Sequence, residues 1–174
     1  MLVSNKIDIM EALETTTRTE CMEVRRLYIA AGHNFLGHHG KPPGENPITE
    51  VSEVNCLAGR GIQGDRFFDF KEAYKGQITF FAWETYVVLC HELGTKGKPL
   101  SVFRRNVITF GVDLNDLIGV EFQVQGVRFC GTEECRPCYW MDQAFAPGAA
   151  DCLKGRGGLR AIILSDGTLR ANTP

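Results

Sequence analysis

Short runs of β-branched and aromatic residues, each ended by glycine, proline or polar residues, constrain this chain more than any other feature. Glu23-Val-Arg-Arg-Leu-Tyr-Ile-Ala, Ile48 to Leu57, Gln77-Ile-Thr-Phe-Phe81 and Asn106-Val-Ile-Thr-Phe read as strands. So do Glu121 to Gln125 and Val127 to Cys130, with a turn at Gly126, and Leu159-Arg-Ala-Ile-Ile-Leu, which leads into a hairpin turn at Asp166-Gly167. Gly32 to Gly44 and Gly59 to Arg66 hold too many glycines and prolines for regular structure and read as loops. Helical spacing of Trp83, Tyr86, Val87 and Cys90 predicts one helix, closed by Gly94. Asp113-Leu-Asn-Asp-Leu-Ile-Gly reads as a capped helical turn, and Cys138 to about Lys154 as helix broken near Pro147-Gly148. Strands that follow one another without helical crossovers predict a mainly β protein with a few helices (α+β). Its sheet should be mostly antiparallel and barrel-like. Phe80, Phe81, Phe103, Phe110, Phe122 and Phe129 fall on these strands or beside them and are expected in the core.

The 174 residues suffice for one domain with a real core. Residues 1–21 are mixed and polar and read as an extension, with the domain over 22–174. A net charge of -2 argues against nucleic acid as a partner, so any anion site must be local. Seven cysteines, an odd number, in a chain this long do not suggest a disulfide framework. The first residues lack the basic and apolar pattern of a secretion signal, and no apolar run is long enough to span a membrane. A reducing cytoplasm is the expected location. Cys56, Cys90 and Cys152 sit singly, as small buried apolar residues do.

Cys130-Gly-Thr-Glu-Glu-Cys135-Arg-Pro-Cys138 concentrates the chemistry. A thiol reacts and ligates as the thiolate, which the neighbouring Arg136 and a following helix start both favour. Cys138 is therefore the expected catalytic residue, and Cys135 is either its resolving thiol or a packing residue. The same spacing also fits the opening of an iron–sulfur motif, or zinc, each needing a further ligand. His33, His38, His39 and Lys41 share one loop. They can bind a metal or an oxyanion, line a pocket mouth, or simply be solvated. In the second glycine-rich loop, Arg60 and Arg66 can cradle phosphate with backbone amides, or Asp65 and Arg66 can form a structural ion pair. Arg104-Arg105-Asn106 offers forks suited to phosphate or carboxylate. Strand alternation would put Arg104 and Asn106 on one face and Arg105 on the other.

Gly61-Ile-Gln-Gly-Asp-Arg66, Gln77-Ile-Thr-Phe, Arg104-Arg-Asn-Val107, Gly111-Val-Asp-Leu, Cys135-Arg-Pro-Cys138 and Gly157-Gly-Leu-Arg-Ala-Ile occur in the order found in one family. Together they resemble the MOSC family, named for the C-terminal domain of molybdenum cofactor sulfurase, as a stand-alone, bacterial-type member. The resemblance implies a β-barrel like the one inserted in pyruvate kinase, with Cys138 as the active-site cysteine. In relatives that reduce N-hydroxylated compounds, that cysteine ligates the molybdenum of a pterin cofactor (molybdopterin). In the sulfur-transfer alternative it carries sulfane sulfur from a cysteine desulfurase or serves a redox partner, and a non-catalytic binding domain is a third reading. Arg104 and Asn106 would hold the cofactor tail, with Lys41 and the loop histidines facing a small-molecule substrate. Pyridoxal phosphate is not expected within this domain.

Overall fold

Backbone pairing gathers the strands into two sheets. The structure is a computed structural model in which residues 22–172 are described, so the expected extension at 1–21 lies outside them. The large sheet takes β1 (Glu23–Ile29), β2 (Thr49–Val51), β5 (Ile78–Ala82), β6 (Val107–Phe110), β7 (Glu121–Val124), β8 (Val127–Glu134) and β9 (Leu159–Ile163). Their order is β2-β1-β6-β5-β9-β8-β7, antiparallel except for the parallel pair β5 and β6. The small sheet is formed by β3 (Glu53–Leu57), β4 (Gly61–Ile62) and β10 (Gly167–Arg170), in the order β10-β3-β4. Helices α1 (Trp83–Glu92), α2 (Trp140–Ala144) and α3 (Ala149–Cys152) complete an α+β arrangement. The strands do not close into a ring among the described residues. β2 and β7 remain edges of the large sheet, where a barrel would have paired them.

Alternation along β5 explains where the two cores sit. Ile78 and Phe80 point into a core shared with the small sheet, and Phe81 points into a second core under the helices. Phe80 meets Phe122 and Phe129 at ring-centre distances of 5.6 and 5.5 Å, while Phe81 stacks on Phe103 at 4.5 Å. Of the six phenylalanines expected in the core, only Phe110 is half-exposed, with the Arg25 guanidinium 4.0 Å over its ring.

Three sequence expectations change. Ile48 to Leu57 is two strands, because the chain bends at Ser52 and passes from the large sheet to the small one. Asp166-Gly167 does not turn a hairpin. β10 leaves β9 and pairs with β3, and the Asp166 carboxylate accepts the Ala58 amide at 2.8 Å. β8 runs on to Glu134, past a bulge between Gly131 and Glu133. Gly131 is required there, since a side chain would collide with the Leu117 carbonyl. That added length carries the chain to Cys135.

Deleting the Phe80 ring empties the core shared by both sheets. Phe80→Ala should lower unfolding free energy by about 3–5 kcal/mol in a urea titration. A loss of under about 1 kcal/mol would mean that β5 is not the spine of the fold.

Candidate functional site

A cavity of about 150 Å3 opens where the loop before β2, the loop after β4, the link into β6 and the segment after β8 meet. Five guanidinium groups line it, from Arg66, Arg104, Arg105, Arg136 and Arg160, and among the described residues no carboxylate does. Cys135 and Cys138 line the same cavity, the first buried and the second exposed.

Asp65 fixes the floor. Its side chain is fully buried, and Oδ2 accepts from the Ala30 amide (3.1 Å), Arg66 Nη1 (3.2 Å) and Asn106 Nδ2 (3.1 Å). Oδ1 accepts from the Phe67 amide at 3.2 Å. A buried carboxylate tolerates burial only when hydrogen-bonded and paired in this way. Arg66 also donates to the Arg104 carbonyl at 2.9 Å. Burial holds the Arg66 guanidinium below its ordinary value, opposed by Asp65.

Among the described residues, no acid forms a hydrogen bond with Arg104 or Arg105. Arg104 donates to the carbonyls of Gly32 (2.8 Å) and Asn46 (3.4 Å), pinning the long loop to the body. Burial, then the nearby Arg66, lower its pKa to about 10, which leaves it cationic at neutral pH. Arg105 donates to the carbonyls of Phe103 (2.8 Å), Gly157 (3.1 Å) and Cys135 (3.4 Å). Strand alternation does not govern these residues, because Arg104 is not in a strand. It caps a 3-10 turn in the left-handed region, at φ 53°, and β6 starts only at Val107. Both arginines consequently reach the cavity. Asn106 does not line it: Nδ2 donates to the Tyr28 carbonyl and Asp65, and Oδ1 accepts from the Thr79 amide and hydroxyl. Its amide is committed to the scaffold and has nothing left to offer a cofactor tail.

The cysteine segment is held from both sides. The Cys135 amide donates to the Gly158 carbonyl at 2.7 Å, while the Gly157 amide donates to Glu134 at 3.0 Å. Gly157 has room only for hydrogen, because a side chain would strike the Cys135 carbonyl. Between the cysteines the backbone carries no helix, turn or bend, and Pro137 keeps Arg136 extended. Both cysteines are free thiols. Buried Cys135 forms part of the cavity wall, and exposed Cys138 stands beside it. The Cys138 carbonyl accepts the Met141 amide at 2.9 Å and so starts α2.

Other residues singled out by sequence lie elsewhere. Arg60 is paired with Asp69 at 2.6 Å and lies over Phe68, away from the cavity. Lys41 is exposed, and half-buried His38 shares a hydrogen bond with the Pro42 carbonyl at 2.8 Å; neither lines the cavity. His39 meets the Tyr139 hydroxyl at 3.4 Å. His33 does line it, edge-on to Phe67 at 4.9 Å. Cys130 does not, and among the described residues no three His, Cys, Asp or Glu side chains converge as a metal site. The iron–sulfur, zinc and loop-histidine arrangements are therefore not assembled. Arg160, which stands in the Gly157-Gly-Leu-Arg motif but is not singled out by sequence as a site residue, and Tyr74 line the cavity because the pairing of β9 with β8 and the course of the 67–76 loop bring them there.

The MOSC domain family profile matches residues 38–173, and the chain belongs to that family. Among solved structures it is similar to YuaD from Bacillus subtilis, with 18% identity and a TM-score of 0.65 over 86% of this chain and 91% of that one. YiiM from Geobacillus stearothermophilus is similar at 14% identity and a TM-score of 0.63, over 88% of this chain and 73% of that one. YiiM from Escherichia coli gives 18% and 0.58, over 86% and 67%. At these identities the likeness is one of fold. No curated protein matches the chain.

Two outcomes check the site. Asn106→Ala should cost about 1–3 kcal/mol for each buried group it strands, measured by chemical denaturation, while phosphate or sulfate binding by the folded fraction persists. Burial, Arg66 and Arg104 hold the His33 imidazole below its ordinary value of 6.5. Below that pH the unfolded chain takes up a proton that folded His33 refuses, so folding stability falls as pH drops through this window. His33→Gln should flatten that part of the melting-temperature profile relative to wild type.

Proposed function

We propose that this MOSC protein works through Cys138, an exposed thiol that carries sulfane sulfur at the mouth of an anion-binding cavity. The observation that supports it is the set of five arginines, with no Asp or Glu among the described residues, lining the cavity that Cys138 also lines. The reactive forms at that sulfur, thiolate and persulfide, are anions, and the arginines that share the cavity with it are cations that attract anionic reactants. In loading, the Cys138 thiolate attacks the activated sulfur on a desulfurase partner. The S–S bond to the partner's sulfur breaks as the bond to Cys138 forms, and the partner's thiolate leaves. Such chemistry fits a reducing compartment such as the cytoplasm.

A second reading draws on the same residues. The donor set fits the molybdenum cofactor that gives the family its name: Cys138 would ligate the metal, and Arg66, Arg104 and Arg105 would hold the anionic tail. When bound, the group would supply a redox metal centre able to reduce an N–O bond. About 150 Å3 is below the roughly 300 Å3 at the lower end of ligand pockets, so a pterin would extend past the mouth while its anionic end sat inside. That size is why sulfur comes first.

The test is sulfur bookkeeping. After incubation with a cysteine desulfurase and cysteine, cyanide-labile sulfur should map to the Cys138 peptide and vanish in Cys138→Ser. Equal labelling of Cys56, Cys90 or Cys152 would remove the assignment. Protein made in cofactor-competent cells with stoichiometric molybdenum, lost in Cys138→Ser, would select the second reading.

A further inference from the structure

We infer that the cavity beside Cys138 is the seat of a small sulfur oxyanion, sulfite or thiosulfate, which accepts or donates the sulfane sulfur. This rests on the sulfur-carrier reading and deepens it. Three observations limit what can sit there. The space is about 150 Å3, room for a few heavy atoms and little more. Its polar lining is dominated by five guanidinium groups, so a neutral thiol or amine acceptor would gain nothing from the floor. Arg104 and Arg105 are hydrogen-bonded only to carbonyl oxygens, so their charge is held in place and left for a guest. Asp65 is hydrogen-bonded to Arg66 and its charge also reaches Arg104, while Glu133 pairs with Arg160 at 3.1 Å where both are half-exposed.

A guest that meets these limits is a compact dianion, and proximity to Cys138 selects among dianions. Phosphate and carboxylate oxygens have no affinity for sulfane sulfur, whereas sulfite presents a lone pair on sulfur. Its three oxygens would face the arginines while the sulfur points to the thiol. The Cys138 persulfide and sulfite then give the Cys138 thiol and thiosulfate. The persulfide S–S bond breaks, its electron pair stays on the Cys138 sulfur together with the proton, and the sulfite lone pair forms the new S–S bond. Atoms and charge balance with no outside oxidant or reductant. Run backwards, thiosulfate loads Cys138 and releases sulfite. Cys135, buried, lining the same cavity as Arg66 and Tyr74 and clamped through its amide and carbonyl, would be a fixed wall that keeps the oxyanion toward Cys138.

The full-length protein, reduced and freed of small molecules, would be mixed with thiosulfate. One cyanide-labile sulfur on the Cys138 peptide and one sulfite released per chain are expected, and added sulfite should return thiosulfate. Arg136→Gln and Arg160→Gln spare the buried clamps. Each should slow sulfite attack by roughly tenfold, the worth of one charge-assisted hydrogen bond, with the rate for neutral 2-mercaptoethanol changed less than about twofold. Sulfate, an unreactive analogue, should slow iodoacetamide labelling of Cys138. If a desulfurase loads Cys138 while thiosulfate does not, the oxyanion proposal falls and the carrier reading stands. If neither loads it, both fall. Equal slowing of sulfite and 2-mercaptoethanol in the arginine variants would also overturn the proposal.

Discussion

The buried Asp65 carboxylate is the contact on which the site depends. It ties the end of β1 through Ala30, the start of β6 through Asn106, and the cavity floor through Arg66. Removing one member of such a set leaves an unpaired group in a dry place, which costs several kcal/mol where an exposed pair costs almost nothing. The same carboxylate explains how a guanidinium as buried as Arg66 can sit beside Arg104. Without it, two like charges would face each other under a sheet edge.

Carbonyl oxygens finish the arrangement. Arg104 anchors the long loop through Gly32 and Asn46, and Arg105 anchors the cysteine segment through Gly157 and Cys135. Dipoles satisfy hydrogen-bonding geometry without cancelling charge, so rigidity and positive potential come from the same bonds. The bulge in β8 and the bare backbone at Gly157 then determine how Cys135 and Cys138 are delivered to that potential.

Much of this was legible in sequence because it is local. Helix α1 and its Gly94 stop, the Gly126 turn, and the break near Pro147-Gly148 depend on neighbouring residues, and they appear where spacing and turn chemistry put them. The pairing of the strands did not read as clearly. Ser52 and Asp166-Gly167 look like ordinary strand and hairpin residues, and only contacts distant in sequence send β3 and β10 to the second sheet. The family resemblance pointed to Cys138 and to Arg104. Alternation misassigned Asn106 and Arg105 because a left-handed Arg104 resets the register just before β6. Arg60 and Lys41 look like anion ligands by composition, yet the fold turns them to solvent. Arg160 looks like any strand arginine until β9 is set beside β8.

The central claim is that Cys138 reacts in a field of fixed positive charge. Carboxymethylation by anionic iodoacetate, set against labelling by neutral iodoacetamide, reads that field at the sulfur itself. For Cys138 the ratio of the two rates should exceed that of a small free thiol and fall toward it as salt screens the arginines. A ratio equal to or below that of the free thiol, insensitive to salt, would contradict the account.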